Sequence, residues 1–504
     1  MQNNLPLIKV SDLANHLHAR IIKSSHVNHN DLNKSISSIE YKSNACTKGS
    51  VFCAIKGFKS DGHNYIPDAI AHGAQAVIVT KEIDDLGVPM LLVSDGRKAM
   101  AKAAELFYDF PYKKMYMIAL TGTNGKTTGV SLASHIARVM GKRSASIGTL
   151  GAKFEEDSIQ THNTTPESID VQYLLHEAVL RNTEVLAMET SSHALALDRC
   201  YGISFDIAAF TNLTAEHLDF HIDMQDYFEA KAKLFWEYKV KKRVICIDDE
   251  WGQKLADGCR DRQLEYISVG KSVAADIHPN LVELSPHGTH LELESPHGVI
   301  SLHVPLIGSF NVQNTLVAAG IAYQMGLSND EIAHALEHTS QVPGRLERVG
   351  KEYKEAVFVD YAHTADALEK AMQAVKETGP KRLIVVFGCG GDRDKTKRAP
   401  MGSVAAHADI AICTSDNPRT EDPLQIIEEI KPGLETEAQL TGAEVHYEVD
   451  RKKAIFKAVE LAKPGDAVLI AGKGHEDYQI LGTQTIHLDD REEAARALAH
   501  YGDK

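Results

Sequence analysis

Short apolar runs alternate along the chain with stretches of helical periodicity. AVIVT (76–80), MLLVS (90–94), MYMIAL (115–120), EVLAM (184–188) and DIAAF (206–210) read as buried strands. An unbroken apolar run suits a strand covered on both faces. Helix-like segments such as YIPDAIAHGA surround the first two, which makes residues 1–110 a small α/β unit. From 281 to 306 the period becomes two (LVEL, THLELE, GVISLHV), with Ser-Pro-His-Gly at 285–288 and again at 295–298. That punctuation predicts antiparallel hairpins. After Val342-Pro343-Gly344, the runs AVFVD (356–360), RLIVVF (382–387), DIAICT (409–414) and AVLIA (467–471) each precede helical periodicity. This is the pattern of a doubly wound, mainly parallel sheet, whose ligands sit at the carboxyl ends of the strands. Polar clusters follow all four: Tyr361-Ala362-His363, residues 388–398, residues 415–419 and residues 472–476.

The fold class expected is therefore α/β, in three units: a small α/β domain (1–111), a central phosphate-loop domain (112–342) and a Rossmann-like domain (343–504). A length of 504 residues agrees, at about 100–200 residues per domain.

Charge narrows the function. Lysine and arginine number 54 against 69 acidic residues, a net charge of −15, which argues against a dedicated nucleic-acid binder. No run approaches the roughly 18 apolar residues of a membrane span, and MQNNLPLIKV lacks the pattern of a secretory signal. The seven cysteines are scattered without a C-x-x-C, which fits a reducing compartment and no structural zinc. We expect a cytoplasmic protein without membrane insertion, and a monomer.

The sharpest local signal is Thr121-Gly122-Thr123-Asn124-Gly125-Lys126-Thr127-Thr128, set between a strand and a helix from about Thr127 to Met140. Backbone N–H groups of such a loop cradle phosphate oxygens, its lysine reaches the β- and γ-phosphates, and its first threonine holds Mg²⁺. Leu120 stands where the full G-x-x-x-x-G-K-[ST] pattern has its first glycine. The motif alone admits a metabolite kinase, a switch protein or an ATP-driven ligase.

Residues 224–239 read as an amphipathic helix. At roughly 100° per residue, Met224, Tyr227, Phe228, Leu234, Phe235 and Tyr238 share a face with Lys231, while Lys233 lies opposite between Glu229 and Glu237. A lysine in an apolar stripe commonly snorkels to water. The other reading is an amine held near neutrality by desolvation, able to take CO₂ as a carbamate and so become an oxygen ligand for Mg²⁺. Glu189 in METSSHAL and His217 in NLTAEHLDFH follow apolar strands of the same domain and are candidate magnesium ligands.

TGTNGKTT, METSSHAL, NLTAEHLDFH, YFEAKAKLF, GSFNVQN, PGRLE, VDYAHTADALEKAM, FGCGGDRDKTKR, DNPRTEDP and AGKGHEDYQ together make the chain resemble the Mur ligase family of ATP-dependent amide-forming enzymes, over nearly its whole length. The resemblance implies that Lys231 is carbamylated and that Thr127, Glu189, His217 and Lys231 form a magnesium site, with Lys126, Lys231 and His217 catalytic. It implies that ATP is seated by residues 122–128 with Asn311, Arg345 and His363. It also implies a UDP-N-acetylmuramoyl dipeptide held by Ser43, Asn163, Thr164, Thr165, Ser191 and Arg199. The family's Asp-Ser-Arg triplet is Lys42-Ser43-Asn44 here, and Leu197 stands where some members carry glutamine. For the incoming amino acid the matching residues are Arg393, Asp416, Asn417, Pro418, Arg419, Gly472 and Glu476. The DNPR form is associated in the family with meso-diaminopimelate, whose second carboxylate a guanidinium can take in two parallel hydrogen bonds. The implied reaction is phosphorylation of a D-glutamyl carboxylate followed by attack of the amine, with domain closure shielding the acyl phosphate. The alternatives are the same ligation with L-lysine, or a phosphate-loop phosphotransferase. Folylpolyglutamate synthetase shares the fold and the loop but gives no reason for DNPR or GKGHE.

Overall fold

A computed structural model describes residues 5–22, 27, 29–57, 60–84 and 86–502. The chain divides into two compact units: Met1–Ile277 with Leu316–Leu327, and His278–Thr315 with Ser328–Lys504.

The first unit holds two sheets. The smaller runs Arg20–Ile22, Met90–Leu92, Ala74–Val79, Ser50–Cys53, Ser38–Glu40, with only the first pairing antiparallel. The larger has eight strands in the order Ile267–Val269, Lys239–Cys246, Ser204–Phe210, Tyr116–Thr121, Val185–Glu189, Ser144–Gly148, Gly151–Lys153, Ser158–Ile159. Its first six strands are parallel and its last two turn back antiparallel. Tyr116–Thr121 is thus central, flanked by Ser204–Phe210 and Val185–Glu189. Three neighbouring carboxyl ends deliver the residues after Thr121, Glu189 and Phe210 to one edge, as expected of a parallel α/β sheet. Val185–Glu189 is buried throughout, which is why its sequence is a plain apolar run.

The helix read over 224–239 ends at Trp236. Asp223 caps its start by accepting from Asp226 N, and Lys239 already begins the strand that pairs with Ser204. Sheet pairing overrides helical periodicity over the last three residues.

In the second unit, His278–Ser285, Gly288–Ser295 and Gly298–Val304 form the expected antiparallel meander, with a Ser-Pro-His-Gly turn at each bend. In each turn the serine hydroxyl donates to the glycine carbonyl. The other sheet runs Glu347–Val349, Ala356–Asp360, Ala467–Ala471, Leu383–Phe387, Ile410–Cys413, Glu444–Tyr447, parallel except for Glu347–Val349. The four central strands are the four apolar runs of the sequence, and every residue in them is buried. The two edge strands are only partly buried and left no apolar run to read.

Candidate active site

The phosphate loop joins the Tyr116–Thr121 strand to the helix Lys126–Val139. Gly122 has φ +150° and Gly125 φ +82°, conformations that glycine adopts without a Cβ penalty. A Cβ on Gly122 would collide with Thr211 Oγ1. Thr211 itself donates to Asn124 O at 2.6 Å, and Asn124 N donates to Asn212 Oδ1 at 2.9 Å. The strand end beside the loop therefore holds its shape. Thr123 Oγ1 lies 3.2 Å from Tyr227 Oη and accepts from Thr214 N at 3.0 Å. Lys126 Nζ donates to Gly122 O at 2.9 Å and Thr123 O at 2.7 Å. Thr128 is buried on the first helical turn.

Thr127 Oγ1 donates to Glu189 Oε1 at 2.9 Å, so two of the candidate magnesium ligands meet directly. Thr149 supports the same carboxylate, its N–H donating to Oε1 at 2.9 Å and its hydroxyl to Oε2 at 3.4 Å. Thr149 Oγ1 is 3.0 Å from Thr164 Oγ1. Thr165 Oγ1 donates to Glu189 O at 2.8 Å and accepts from Ser191 N at 3.1 Å, and Arg199 Nη1 donates to Thr165 O at 2.9 Å. Arg199 also pairs with Glu167 at 2.8 Å. Thr164, Thr165, Ser191 and Arg199 are thereby tied to Glu189. Asn163 is exposed on the same loop. Ser43 lies apart, in a short 3₁₀ turn Ser43–Ala45 after the Ser38–Glu40 strand. Next to it, Tyr41 Oη donates to Asp170 Oδ2 at 3.0 Å. Leu197 ends the short helix Ser192–Ala196.

Lys231 does not snorkel. It is 1% exposed, donates to Gly122 O at 2.7 Å and sits 4.5 Å from the centre of the Tyr227 ring. Burial, reinforced by the charge of Lys126 and opposed by Glu216, pushes its pKa well below the ordinary lysine value. The desolvated charge is the costly form. His217 has φ +57°, and its ring packs edge-on to His193 at 4.9 Å between centroids. It lies 6.1 Å from the Tyr227 ring, so Tyr227 is the shared neighbour of His217 and Lys231. His193, read only as part of METSSHAL, is pushed down to about 4 by burial and by His217 and His221. Among the described residues no three His, Cys, Asp or Glu side chains are grouped to hold a metal ion by themselves.

In the second unit the polar strand ends also converge. Asn417 Nδ2 donates to Glu476 Oε2 at 3.0 Å. Lys473 Nζ donates to Asn417 Oδ1 at 3.2 Å and to Tyr478 O at 2.5 Å. A Cβ on Gly472, which has φ +123°, would stand 3.2 Å from Asp416 Oδ2. Arg419 follows Pro418 with φ +51°, and its Nη1 donates to Gly391 O at 2.7 Å. Arg393 and Arg419 flank Gly390, and Arg393 is exposed. Arg398, unremarked in the sequence, is 1% exposed and anchors this loop through Glu421 at 3.0 Å and Glu429 at 2.5 Å.

The remaining nucleotide-seating candidates lie in this unit too. Asn311 is buried, its Nδ2 donating to Ile307 O at 2.8 Å and its Oδ1 accepting from Asn314 Nδ2 at 2.9 Å. The Arg345 guanidinium lies 5.3 Å from the Tyr361 ring centre. That ring also packs on His363 at 4.8 Å and His475 at 5.1 Å. Thr149 and Lys473 are the contributors that sequence reasoning passed over, while Tyr227 and Tyr361 were read only as members of an apolar stripe and a polar cluster. Lys473 sat inside a quoted motif and Thr149 outside all of them, so only packing shows that they join these networks.

Family profiles match in three successive stretches: Mur ligase family, catalytic domain, at residues 35–108; Mur ligase middle domain at 120–322; and Mur ligase, glutamate ligase domain, at 344–474. A protein of Thermosynechococcus vestitus named UDP-N-acetylmuramoyl-L-alanyl-D-glutamate--2,6-diaminopimelate ligase is 42% identical over 477 residues, covering 93% of this chain and 94% of its own. A Gloeobacter violaceus protein of the same name is 43% identical over 456 residues, 90% and 91% of the two chains. A solved structure of a ligase of that name superposes with TM-score 0.74 and 30% identity over 98% of this chain and 99% of the other. A Mycobacterium tuberculosis folylpolyglutamate synthase complexed with ADP and AMPPCP shares the fold at TM-score 0.59 and 16% identity, over 80% of this chain and 95% of that one. With the three profiles in order and relatives this similar along nine-tenths of its length, the chain belongs to the Mur ligase family.

Proposed function

We propose that this chain is an ATP-dependent ligase that joins meso-2,6-diaminopimelate to the D-glutamyl side-chain carboxylate of UDP-N-acetylmuramoyl-L-alanyl-D-glutamate, yielding ADP and phosphate, in peptidoglycan precursor synthesis. The relatives that bear that activity in their names support it. Within the molecule, the observation that carries it is the buried Lys231 amine bonded to Gly122 O of the phosphate loop. A simple phosphotransferase has no use for a desolvated lysine at that place.

A carboxylate is a poor acylating agent. Transfer of the γ-phosphoryl group of ATP to it makes an acyl phosphate. The amine of the amino acid then attacks the carbonyl carbon, phosphate leaves and an amide remains. Lys126 stands on the first turn after the loop, where its ammonium offsets charge developing on the phosphoryl oxygens. The N–H groups at the helix start, from Gly125 to Thr128, take the phosphates, while those of Thr123 and Asn124 donate to Asn212 and hold the loop in shape. Asn311, Arg345 and His363 are assigned to nucleotide seating on the strength of the family motifs. Ser43, Asn163, Thr164, Thr165, Ser191 and Arg199 are likewise assigned to the nucleotide-linked dipeptide, and Arg393, residues 416–419, Gly472 and Glu476 to the amino acid.

The donor set at Thr127 and Glu189 consists of hard oxygens 2.9 Å apart. This fits Mg²⁺, which binds through one or two carboxylates and completes its shell with phosphate oxygens and water. Thr127 and Glu189 would hold it, with His217 and a carbamylated Lys231 as further ligands, and it would neutralise phosphate charge. Lys231 suits carbamylation because its neutral amine is the form that attacks CO₂, releasing one proton and leaving an anionic oxygen pair.

The test is phosphate release with purified protein. Turnover that needs both the UDP-linked dipeptide and diaminopimelate is expected. ATP hydrolysis indifferent to both would restore the phosphotransferase reading.

A further inference from the structure

Among the buried ionisable groups outside the steps above, Lys473 has the most specific surroundings. It is fully buried. Its Nζ donates to Asn417 Oδ1 at 3.2 Å and to Tyr478 O at 2.5 Å, and lies 3.5 Å from Asp416 Oδ1 and 3.9 Å from Glu476 Oε2. The Asp416 contact is an ion-pair distance without hydrogen-bond geometry, since Asp416 Oδ1 has no hydrogen-bond partner.

These contacts set the orientation of the Asn417 amide. Its Oδ1 accepts from both Lys473 Nζ and Ile480 N, the latter at 3.0 Å. Its Nδ2 therefore faces Glu476 Oε2, to which it donates at 3.0 Å. The flipped amide would place an NH₂ against an ammonium and a carbonyl oxygen against a carboxylate, two repulsions in place of two charge-assisted bonds. One side-chain and two backbone hydrogen bonds tie the same two segments together. Gln479 Nε2 donates to Asp416 O at 2.6 Å, Arg419 N to Ile480 O at 3.1 Å, and Gly482 N to Arg419 O at 2.7 Å. Residues 416–419 are thus laced to residues 479–482. Burial and the neighbouring Asp416 raise the pKa of Glu476, while Lys473 lowers it.

We propose that Lys473 is a positioning residue for the incoming amino acid: it fixes the Asn417 carboxamide and, through it, the Glu476 carboxylate, so that Asn417, Arg419 and Glu476 form one preset surface. A zwitterionic amino acid carries both charges that such a surface can read. This inference rests on the ligase reading above.

The test uses full-length Lys473→Met, which keeps most of the apolar stem and removes the terminal cation, and Lys473→Gln, of the same reach as methionine, which keeps a neutral donor. The expected result is a rise of ~10-fold or more in the KM for diaminopimelate, the scale of a lost charge-assisted hydrogen bond, with Gln the milder of the two. The KM values for ATP and for the UDP-linked dipeptide should move less than about twofold, and kcat less than the diaminopimelate KM. Parallel rises in all three KM values, or an unmoved diaminopimelate KM, would overturn the positioning role. Failure of both variants to fold would make Lys473 a structural residue and overturn it as well. A wild-type protein that forms no amide would remove the ligase reading and this inference with it, an outcome visible before any variant is assayed.

Discussion

Lys231 and Lys473 are both buried lysines, and their surroundings are opposite in kind. Lys231 touches one carbonyl, Gly122 O, and one aromatic face, and the nearest cation, Lys126, repels it. Lys473 is ringed by Asn417 Oδ1, Tyr478 O and the carboxylates of Asp416 and Glu476. Burial lowers both pKa values, but at Lys473 the carboxylates pull back, Asp416 foremost. Burial with Glu216 as the only, and smallest, opposing charge leaves an amine ready to lose its proton and react. Burial among carboxylates opposes that loss, although Arg451 adds to it, and the hydrogen bonds of the buried amine hold others in place. The roles proposed above follow this difference: chemistry for Lys231 in one unit and positioning for Lys473 in the other.

The largest expected effect of breaking this contrast is at Lys231. Lys231→Ala should lower turnover by roughly 1,000-fold or more, as loss of a central electrostatic contributor does. A small carboxylic acid should restore part of the rate by supplying the missing oxygen pair. Steady-state phosphate release checks this, and an unrescued variant with full activity would rule out the carbamate.

Next is Arg419. Arg419→Ala should raise the KM for diaminopimelate by ~10–100-fold, the scale of lost hydrogen bonds to a charged group. ATP binding, followed by nucleotide titration, should stay near the wild-type value. Equal loss of both would remove its role in specificity.

These residues also show how far the sequence could be read. The phosphate loop, the central strands of both large sheets and the hairpin turns were legible because glycine placement and unbroken apolar runs are local signals. The edge strands Glu347–Val349 and Glu444–Tyr447 were not, since half-exposed strands carry mixed residues. Helical spacing put Lys231 on the apolar face, but spacing alone left snorkelling open. Only the packed structure shows the amine turned inward to Gly122 O. Lys473 stood in plain view within GKGHE yet was passed over between Gly472 and Glu476, because its meaning depends on Asn417, 56 positions away in the chain.

A smaller effect sharpens the comparison through stability. Lys231→Met should raise the melting temperature by about 2–4 °C, equivalent to roughly 1 kcal/mol in a body of this size. It removes a poorly paired buried amine, and Gly122 O keeps its bond from Lys126. Lys473→Met should lower the melting temperature, because it leaves two carboxylates without their cation. Calorimetry on the two variants side by side gives opposite signs if the contrast is sound and the same sign if it is not.

The smallest is a pH effect at a third buried cation. The Arg398 guanidinium first, with the Asp392 N–H and Lys395, lowers the Glu421 pKa from 4.5 to about 2. A carboxyl depressed in the folded state contributes stability above its unfolded pKa and loses it as pH falls through the folded one. The deficit of Arg398→Met in melting temperature should therefore be full at neutral pH. It should shrink as pH drops from about 4.5 towards about 2. A deficit constant across that window would mean packing alone.

The most direct measurement is a competition. One reaction contains the protein, ATP, Mg²⁺, the UDP-linked dipeptide and equal amounts of meso-diaminopimelate and L-lysine, and products are identified by mass. The account predicts the diaminopimelate tripeptide to the near exclusion of the lysine one. Lysine product in comparable amount would contradict the Arg419 reading, and ADP without any amide would contradict the ligase itself.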